Sequence, residues 1–353
     1  MASPSLTISM WMARLVLRET SLLTTALALL GFALTGRGGG WTARGARGLA
    51  LVAAFVGLVP FLAQWLTLRR VGLPFSIVEY VVGPARSSAL PEFNLVLEPR
   101  DSPLRADVWP APGDRPHPFV LSVHGGSWRA GEKGQGTHMF RSLAAAGYTV
   151  VDVEYGLAPA HPFPEGIADV KCLLGRVRER AAEFHIDPLR GALLGRSAGG
   201  QIALVTAYSA GDPRLAPSCD VPDLPVQAVV GIYSPVDLIY GHANPMQPDV
   251  IHTTESLELY LGGPPTRRLE AYRLASPLAW LDRALPPTLL LHGTGDAIVE
   301  SLHSVLLEAQ LKARSHTVEL IVVPFGEHGF DMRPGGVGEQ IARQATLRFL
   351  KRL

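Results

Sequence analysis

Cysteine is nearly missing from this 353-residue chain, which has only Cys172 and Cys219. Two thiols are too few for a disulfide framework, and neither stands at a metal-ligand spacing. They read as two packed thiols that leave the redox compartment unspecified. Charge is scarce too, at 18% of residues with a net charge of +1. Overall that implies no polyanion partner and gives no reason to expect nucleic acid. Acids are almost absent from one stretch. Residues 1–70 hold seven Arg, no Lys and only Glu19, a balance of +6, while the remainder carries 25 basic and 30 acidic residues, a balance of −5. No internal repeat occurs, and low-complexity sequence is confined to Gly38–Gly40.

What the first 70 residues do have is apolar length. Thr20–Gly36 runs 17 residues without a charge, and Gly48–Leu68 runs 21. A helix needs ~20 apolar residues to cross the hydrocarbon core. Trp11, Trp41 and Trp65 stand near the ends of the runs, where indole rings favour the interface. The expectation is two transmembrane helices, 20–36 and 48–68, joined by the Gly/Arg-rich turn Arg37–Arg47, with membrane lipids as partners of residues 20–68. Two alternatives stay open. The first run could be a signal-peptide core, although no small-x-small cleavage site follows it, or the pair could pack on a soluble domain. Arg14, Arg18, Arg69 and Arg70 flank the pair, against Arg37, Arg44 and Arg47 in the turn. That count leans the termini and the catalytic domain toward the cytoplasm.

Beyond Arg70 the pattern changes. Ser76–Val82 and Leu104–Trp109 read as early strands between Pro and Gly punctuation. Strand-like and helix-like runs then alternate. The strands are Phe119–Val123, Tyr148–Val153, Ala192–Leu194, Val226–Tyr233, Thr288–Leu291 and Val318–Val323. The helices are Met139–Ala146, Pro164–Phe184, Leu302–Lys312 and Gly338–Leu353. This alternation predicts an α/β fold, a mostly parallel twisted sheet with helices on both faces, over a domain at 71–353 behind the membrane segment 1–70. A Pro- and aromatic-rich insertion, 234–287, reads as lid-like. His242 and His252 lie inside it without a metal-ligand spacing and read as solvated. Ser256–Leu261 reads as a packing helix of that insertion.

One constellation carries chemistry. Gly195-Arg196-Ser197-Ala198-Gly199-Gly200 sits between a strand run and a helix run, the setting of a nucleophile elbow. A serine hydroxyl needs a base, and His328 follows the last strand run. The base needs an acid to orient it, and Asp296 follows the strand before. Glu300 and Asp331 are the rivals: Glu300 reads as an early helix residue and Asp331 as a surface group. The order Ser197, Asp296, His328 is that of the α/β-hydrolases. Developing negative charge needs backbone donors. His124-Gly125-Gly126-Ser127-Trp128 after a strand offers the N–H groups of Gly125 and Gly126, to join that of Ala198. Trp128 reads equally as a pocket wall or as packing, and Tyr155 and Pro159 as residues that fix a loop.

These stretches, with Glu154–Pro159, Ile186-Asp187-Pro188, Ser276-Pro277, Pro286-Pro287-Thr288 and Leu291-His292-Gly293, resemble the hormone-sensitive-lipase-like and BD-FAE-type bacterial carboxylesterases of the α/β-hydrolase superfamily. The resemblance covers about residues 75–353. It implies hydrolysis of carboxylic esters through an acyl-enzyme, with neither metal nor cofactor; a small-molecule ester, lipid-like or not, is the expected substrate, and the oligomeric state stays open. Residues 1–70 lie outside the resemblance, and their apolar runs point to a bacterial inner membrane. Arg196 departs from the pattern, since relatives often carry an acid there, so altered pairing around it is expected. Amide or formamide hydrolysis by the same residues, and a non-catalytic membrane binding protein on the same fold, are the alternatives.

Overall fold

The structure is a computed structural model that describes residues 4–35, 40–84 and 91–352. The chain divides into two compact units that do not follow a boundary at residue 70. The first unit is Met1–Pro84 with Gly293–Ala297 and Val322–Gln344. The second is Ala85–His292 with Ile298–Ile321 and Ala345–Leu353.

The first unit opens with α1 (Pro4–Glu19), α2 (Ser21–Leu34), α3 (Trp41–Arg70) and α4 (Ile77–Val82). Helices α2 and α3 form an antiparallel hairpin held by small groups. Thr25 Oγ1 donates to Ala54 O at 3.2 Å, and a β-carbon at Gly57 would lie 2.5 Å from Thr25 Oγ1 and 2.9 Å from Ser21 O. Small residues of this kind let helix backbones approach closely. The apolar side chains Leu27, Leu30, Leu49, Val52, Phe55 and Val56 point outward and are exposed. Helix α3 is long and apolar enough to cross a bilayer; the first helices pass that test only as a pair bent by 76°. Helix α2 has 14 residues, about 21 Å at 1.5 Å per residue, and so falls short of the ~30 Å core. Of the expected 20–36 helix and its turn, Gly36, Arg37, Gly38 and Gly39 lie outside the described residues.

Ser76–Val82 is not a strand. Its β-branched residues favour one, but Ser76 and Glu79 form a helix start: Ser76 Oγ accepts the N–H of Glu79 at 3.1 Å. Helix α12 (Val337–Leu350) pins this start, because Gln340 accepts the Ser76 N–H at 2.8 Å and donates to Ser76 O at 2.9 Å.

The second unit is built on strands β1 (Glu92–Glu98), β2 (Leu104–Trp109), β3 (His117–Val123), β4 (Thr149–Val153), β5 (Ile186–Arg196), β6 (Ala228–Ile232), β7 (Thr288–Gly293) and β8 (Val318–Val323). Their order is β1-β2-β4-β3-β5-β6-β7-β8. β1 and β2 join antiparallel, whereas β4, β3, β5, β6 and β7 run parallel. Phe119–Val123 of β3 and Ala192–Gly195 of β5 are buried throughout and largely apolar. The helices are α5 (Thr137–Ala145), α6 (Glu165–Glu179), α7 (Ala198–Tyr208), α8 (Leu238–Ala243), α9 (Thr253–Leu261), α10 (Pro265–Ala275) and α11 (Leu302–Ala313). The 234–287 insertion is thus helical, and α9 contains the expected packing helix. Helix α6 stops five residues before Phe184, where Arg180 leaves helical geometry. His242 is paired rather than merely solvated: its Nε2 lies 2.9 Å from Glu258 Oε1.

The two cysteines are not separate thiols. Cys172 on α6 and Cys219 form a disulfide across 47 residues, with Cα atoms 5.4 Å apart. Spacing alone could not reveal this pairing, since α7 intervenes between the two. Closing a loop of that length stabilises the fold by about 4 kcal/mol in the chain-entropy account.

Candidate active site

In the second unit, β5 ends at Arg196, α7 begins at Ala198, and Ser197 between them holds φ 54° and ψ −124°. Such backbone costs on the order of 1–3 kcal/mol and persists only where its surroundings enforce it. The glycines explain how it forms. A β-carbon at Gly195 would lie 2.2 Å from Gly199 O, one at Gly199 2.1 Å from His124 O, and one at Gly200 2.0 Å from Ser234 Oγ. Only glycine lets strand and helix pass at these separations. The Ser197 N–H donates to Ile232 O of β6 at 2.9 Å, which braces the turn from the neighbouring strand.

The 124–128 loop meets this turn. A β-carbon at Gly125 would lie 3.0 Å from Arg196 O and 3.2 Å from Ser197 Cβ. Ser127 and Trp128 both hold positive φ, 53° and 62°, so backbone strain is concentrated here as well. One expected donor already has a partner: the Gly125 N–H donates to Gln135 Oε1 at 2.9 Å. The partner comes from ten residues further on, and no spacing rule points to it. His124 is the loop's brace. Burial pushes its imidazole below the usual range, and the neutral ring donates from Nδ1 to Gly125 O at 2.8 Å. Tyr155 stacks on that ring at 4.4 Å and donates its O–H to His124 O at 3.1 Å, as expected of a residue that fixes a loop.

Arg196 points away from the turn. It is buried, donates to Gln135 O and to Met139 Sδ at 3.3 Å each, and lies over Gly136, where a β-carbon would meet its guanidinium at 2.7 Å. Its charge acts on Asp152, whose Oδ2 accepts the Gly134 N–H at 2.6 Å. Burial nevertheless pushes Asp152 up to about 7. Between its ordinary 3.8 and about 7 the native chain therefore holds a proton that the unfolded chain has lost, so stability falls as pH rises through that window. Asp152→Asn should flatten the pH dependence of the unfolding temperature between pH 5 and about 7, as read by thermal unfolding.

The first unit brings Asp296 and His328 together. Asp296 lies three residues past β7, His328 five past β8, and His328 Nδ1 is 2.8 Å from Asp296 Oδ2. Both are buried. A β-carbon at Gly293 would lie 2.2 Å from Gly326 O, so glycine at 293 lets the two loops close on each other. With Nδ1 on the carboxylate, Nε2 is the nitrogen placed to exchange a proton with a reacting group. The rivals take other roles. Glu300 in the second unit accepts the Tyr240 O–H at 2.8 Å. Asp331 is fully buried rather than at the surface, because a turn from Glu327 to Met332 folds inward.

A cleft of the second unit, about 520 Å³ of atom-free space open to solvent, is lined by Ser197, Ala198, Trp128, Leu238, Ile251 and Leu257, among others. Trp128 is both wall and packing. Its ring stacks on Tyr260 at 4.9 Å, and its N–H donates to Gln201 Oε1 at 2.7 Å. The lining from α8 and α9 comes from the insertion. Among the described residues, the one cluster of metal-ligating types is Glu98 with Cys172 and Cys219, whose sulfurs are bonded to each other.

The family profile BD-FAE matches residues 107–311, more than half of the chain. The chain belongs to the BD-FAE family. The BD-FAE match takes in Ser197 and Asp296 and ends before His328. Relatives of this BD-FAE chain include Esterase LipQ of Mycobacterium tuberculosis, 30% identical over 80% of this chain and 66% of LipQ. Probable carboxylic ester hydrolase LipM of the same organism is 30% identical over 64% of this chain and 53% of LipM. The chain thus spans between half and two thirds of these relatives' length. Among solved structures, a truncated carbohydrate esterase from gut microbiota superposes with TM-score 0.64 at 23% identity, over 76% of this chain and 98% of that one. An esterase of Thermogutta terrifontis, Est2, gives 0.60 at 24%, over 76% and 92%. These likenesses establish the α/β-hydrolase fold.

Proposed function

We propose that the chain is a serine hydrolase of carboxylic esters. The observation that carries this reading is the strained Ser197 backbone at a glycine-flanked strand–helix turn on an apolar cleft. The Asp296–His328 pair and the esterase names of the relatives support it. In this reading His328 Nε2 takes the Ser197 proton as the oxygen attacks the ester carbonyl. Asp296 holds the ring and stabilises the imidazolium. The N–H groups of Gly126 and Ala198 hold the oxyanion. His328 then protonates the leaving alcohol, and water repeats the sequence on the acyl-enzyme. A fluorophosphonate probe should label the native chain at Ser197, and aryl esters should turn over faster than the matching anilides. Labelling elsewhere, or faster anilide cleavage, counts against this reading.

The proposal extends to the membrane. Helix α1 binds Glu327 and α3 binds Pro324 through Gln64, all within the first unit. Both ends of the α2–α3 hairpin therefore start from one side, and either both helices enter the bilayer or neither does. The outward apolar side chains favour entry. The arginine count leans the catalytic domain toward the cytoplasm, and the Cys172–Cys219 disulfide leans it the other way. In the folded chain Arg14 and Arg18 pair with Glu327, and a cysteine pair that persists as a disulfide belongs to an oxidising compartment. Our reading takes the disulfide as the stronger signal and puts the hydrolase unit outside the cytoplasm. Protease added to intact spheroplasts should digest residues 91–352; digestion only after lysis would place the unit inside.

A further inference from the structure

Glu327 draws donors from three parts of the first unit. Its side chain is fully buried. Oε1 accepts the N–H of Ala297, the residue after Asp296, at 2.7 Å and that of His328 at 3.3 Å. Oε2 accepts from Arg18 Nη1 at 3.0 Å and lies 3.2 Å from Arg14 Nε. Arg18 Nη1 also donates to Gly295 O, the residue before Asp296, at 2.9 Å. A β-carbon at Gly295 would lie 2.0 Å from that nitrogen, so glycine there admits the arginine. One carboxylate thus joins the acid's loop, the base's backbone and helix α1.

We propose that Glu327 is a positioning residue for Asp296 and His328, completed by Arg14 and Arg18, so that helix α1 is part of the catalytic apparatus and not only of the membrane segment. This rests on the Ser197–His328–Asp296 reading above. An exposed ion pair would contribute little. Here the carboxylate is buried, and removing its cations leaves an uncompensated charge in the interior. That charge is relieved by proton uptake or by movement toward water, and either loosens the bonds to Ala297 and His328. A misplacement of about 1 Å in a catalytic group costs on the order of 10²-fold in rate.

The test uses the full chain in detergent micelles and a short, water-soluble aryl ester. Arg14→Ala/Arg18→Ala and Glu327→Gln should each lower kcat by roughly 10- to 100-fold, with KM within about threefold, since neither touches the cleft. Combining all three changes should cost no more than about threefold beyond Glu327→Gln alone, because the groups act as one unit. Wild-type kcat in either variant, a rise in KM with kcat intact, or multiplicative losses would overturn the proposal. Thermal unfolding shows which variants fold. If Glu327→Gln does not, the arginine pair carries the test, since those side chains are 43% and 23% exposed. Ser197→Ala, run alongside, separates the two readings. If it keeps turnover, the triad reading has failed. If it abolishes turnover while the Glu327 and arginine variants keep theirs, only the positioning role of Glu327 has failed.

Discussion

Ser197→Ala should lower kcat for a soluble aryl ester by ~10⁴- to 10⁶-fold and abolish fluorophosphonate labelling, while KM changes little. The oxygen that would form the acyl-enzyme is gone, and the cleft that binds the ester is untouched. His328→Ala should cost about as much, because the serine hydroxyl is a weak nucleophile without a proton acceptor. The double variant should lose no more than the worse single one, since residues that act as a unit are non-additive. Asp296→Ala should cost somewhat less, because it only orients and stabilises the ring. Titration of active sites with a chromogenic burst substrate checks all three. A Ser197→Ala chain that still labels or turns over would move the nucleophile elsewhere, and independent multiplicative losses would break the unit apart.

How much of this was legible differs by segment, for physical reasons. Val318–Val323 is a strand over the predicted residues, because a β-branched run between turns leaves few alternatives. The elbow was readable because a serine held at positive φ needs glycines around it, and glycine shows in a sequence. Ser76–Val82 misled because tertiary pinning by Gln340 outweighs β propensity, although the Ser76–Glu79 capping pair was there to be seen. Glu327 stood in plain view beside His328, but its role depends on arginines more than 300 residues away. Gln135 gave no signal at all: a side-chain amide that satisfies a loop N–H has no periodicity. The disulfide was hidden for the same reason, since only the fold brings α6 and Cys219 together.

The Gly125 N–H is held by Gln135 Oε1, which sharpens what the other proposed donors must do. If Gly126 and Ala198 alone hold the oxyanion, Gly126→Ala should lower kcat by ~10²- to 10³-fold, the effect of losing one such donor. A β-carbon there would lie 1.9 Å from Ala130 O, and φ is 132°, a conformation closed to alanine. Carbonyl and methyl cannot share that space, so the loop must rotate and carry its N–H off the developing charge. The ground-state ester makes weaker demands on this donor than the oxyanion does, so KM should move far less than kcat. Gly113→Ala is the control. It also holds positive φ, 92°, but a β-carbon there meets nothing within 4 Å, so it should carry the backbone strain without touching the rate. A Gly126→Ala enzyme with wild-type kcat would return the oxyanion to the Gly125 N–H, and Gln135 would then have to release it during turnover.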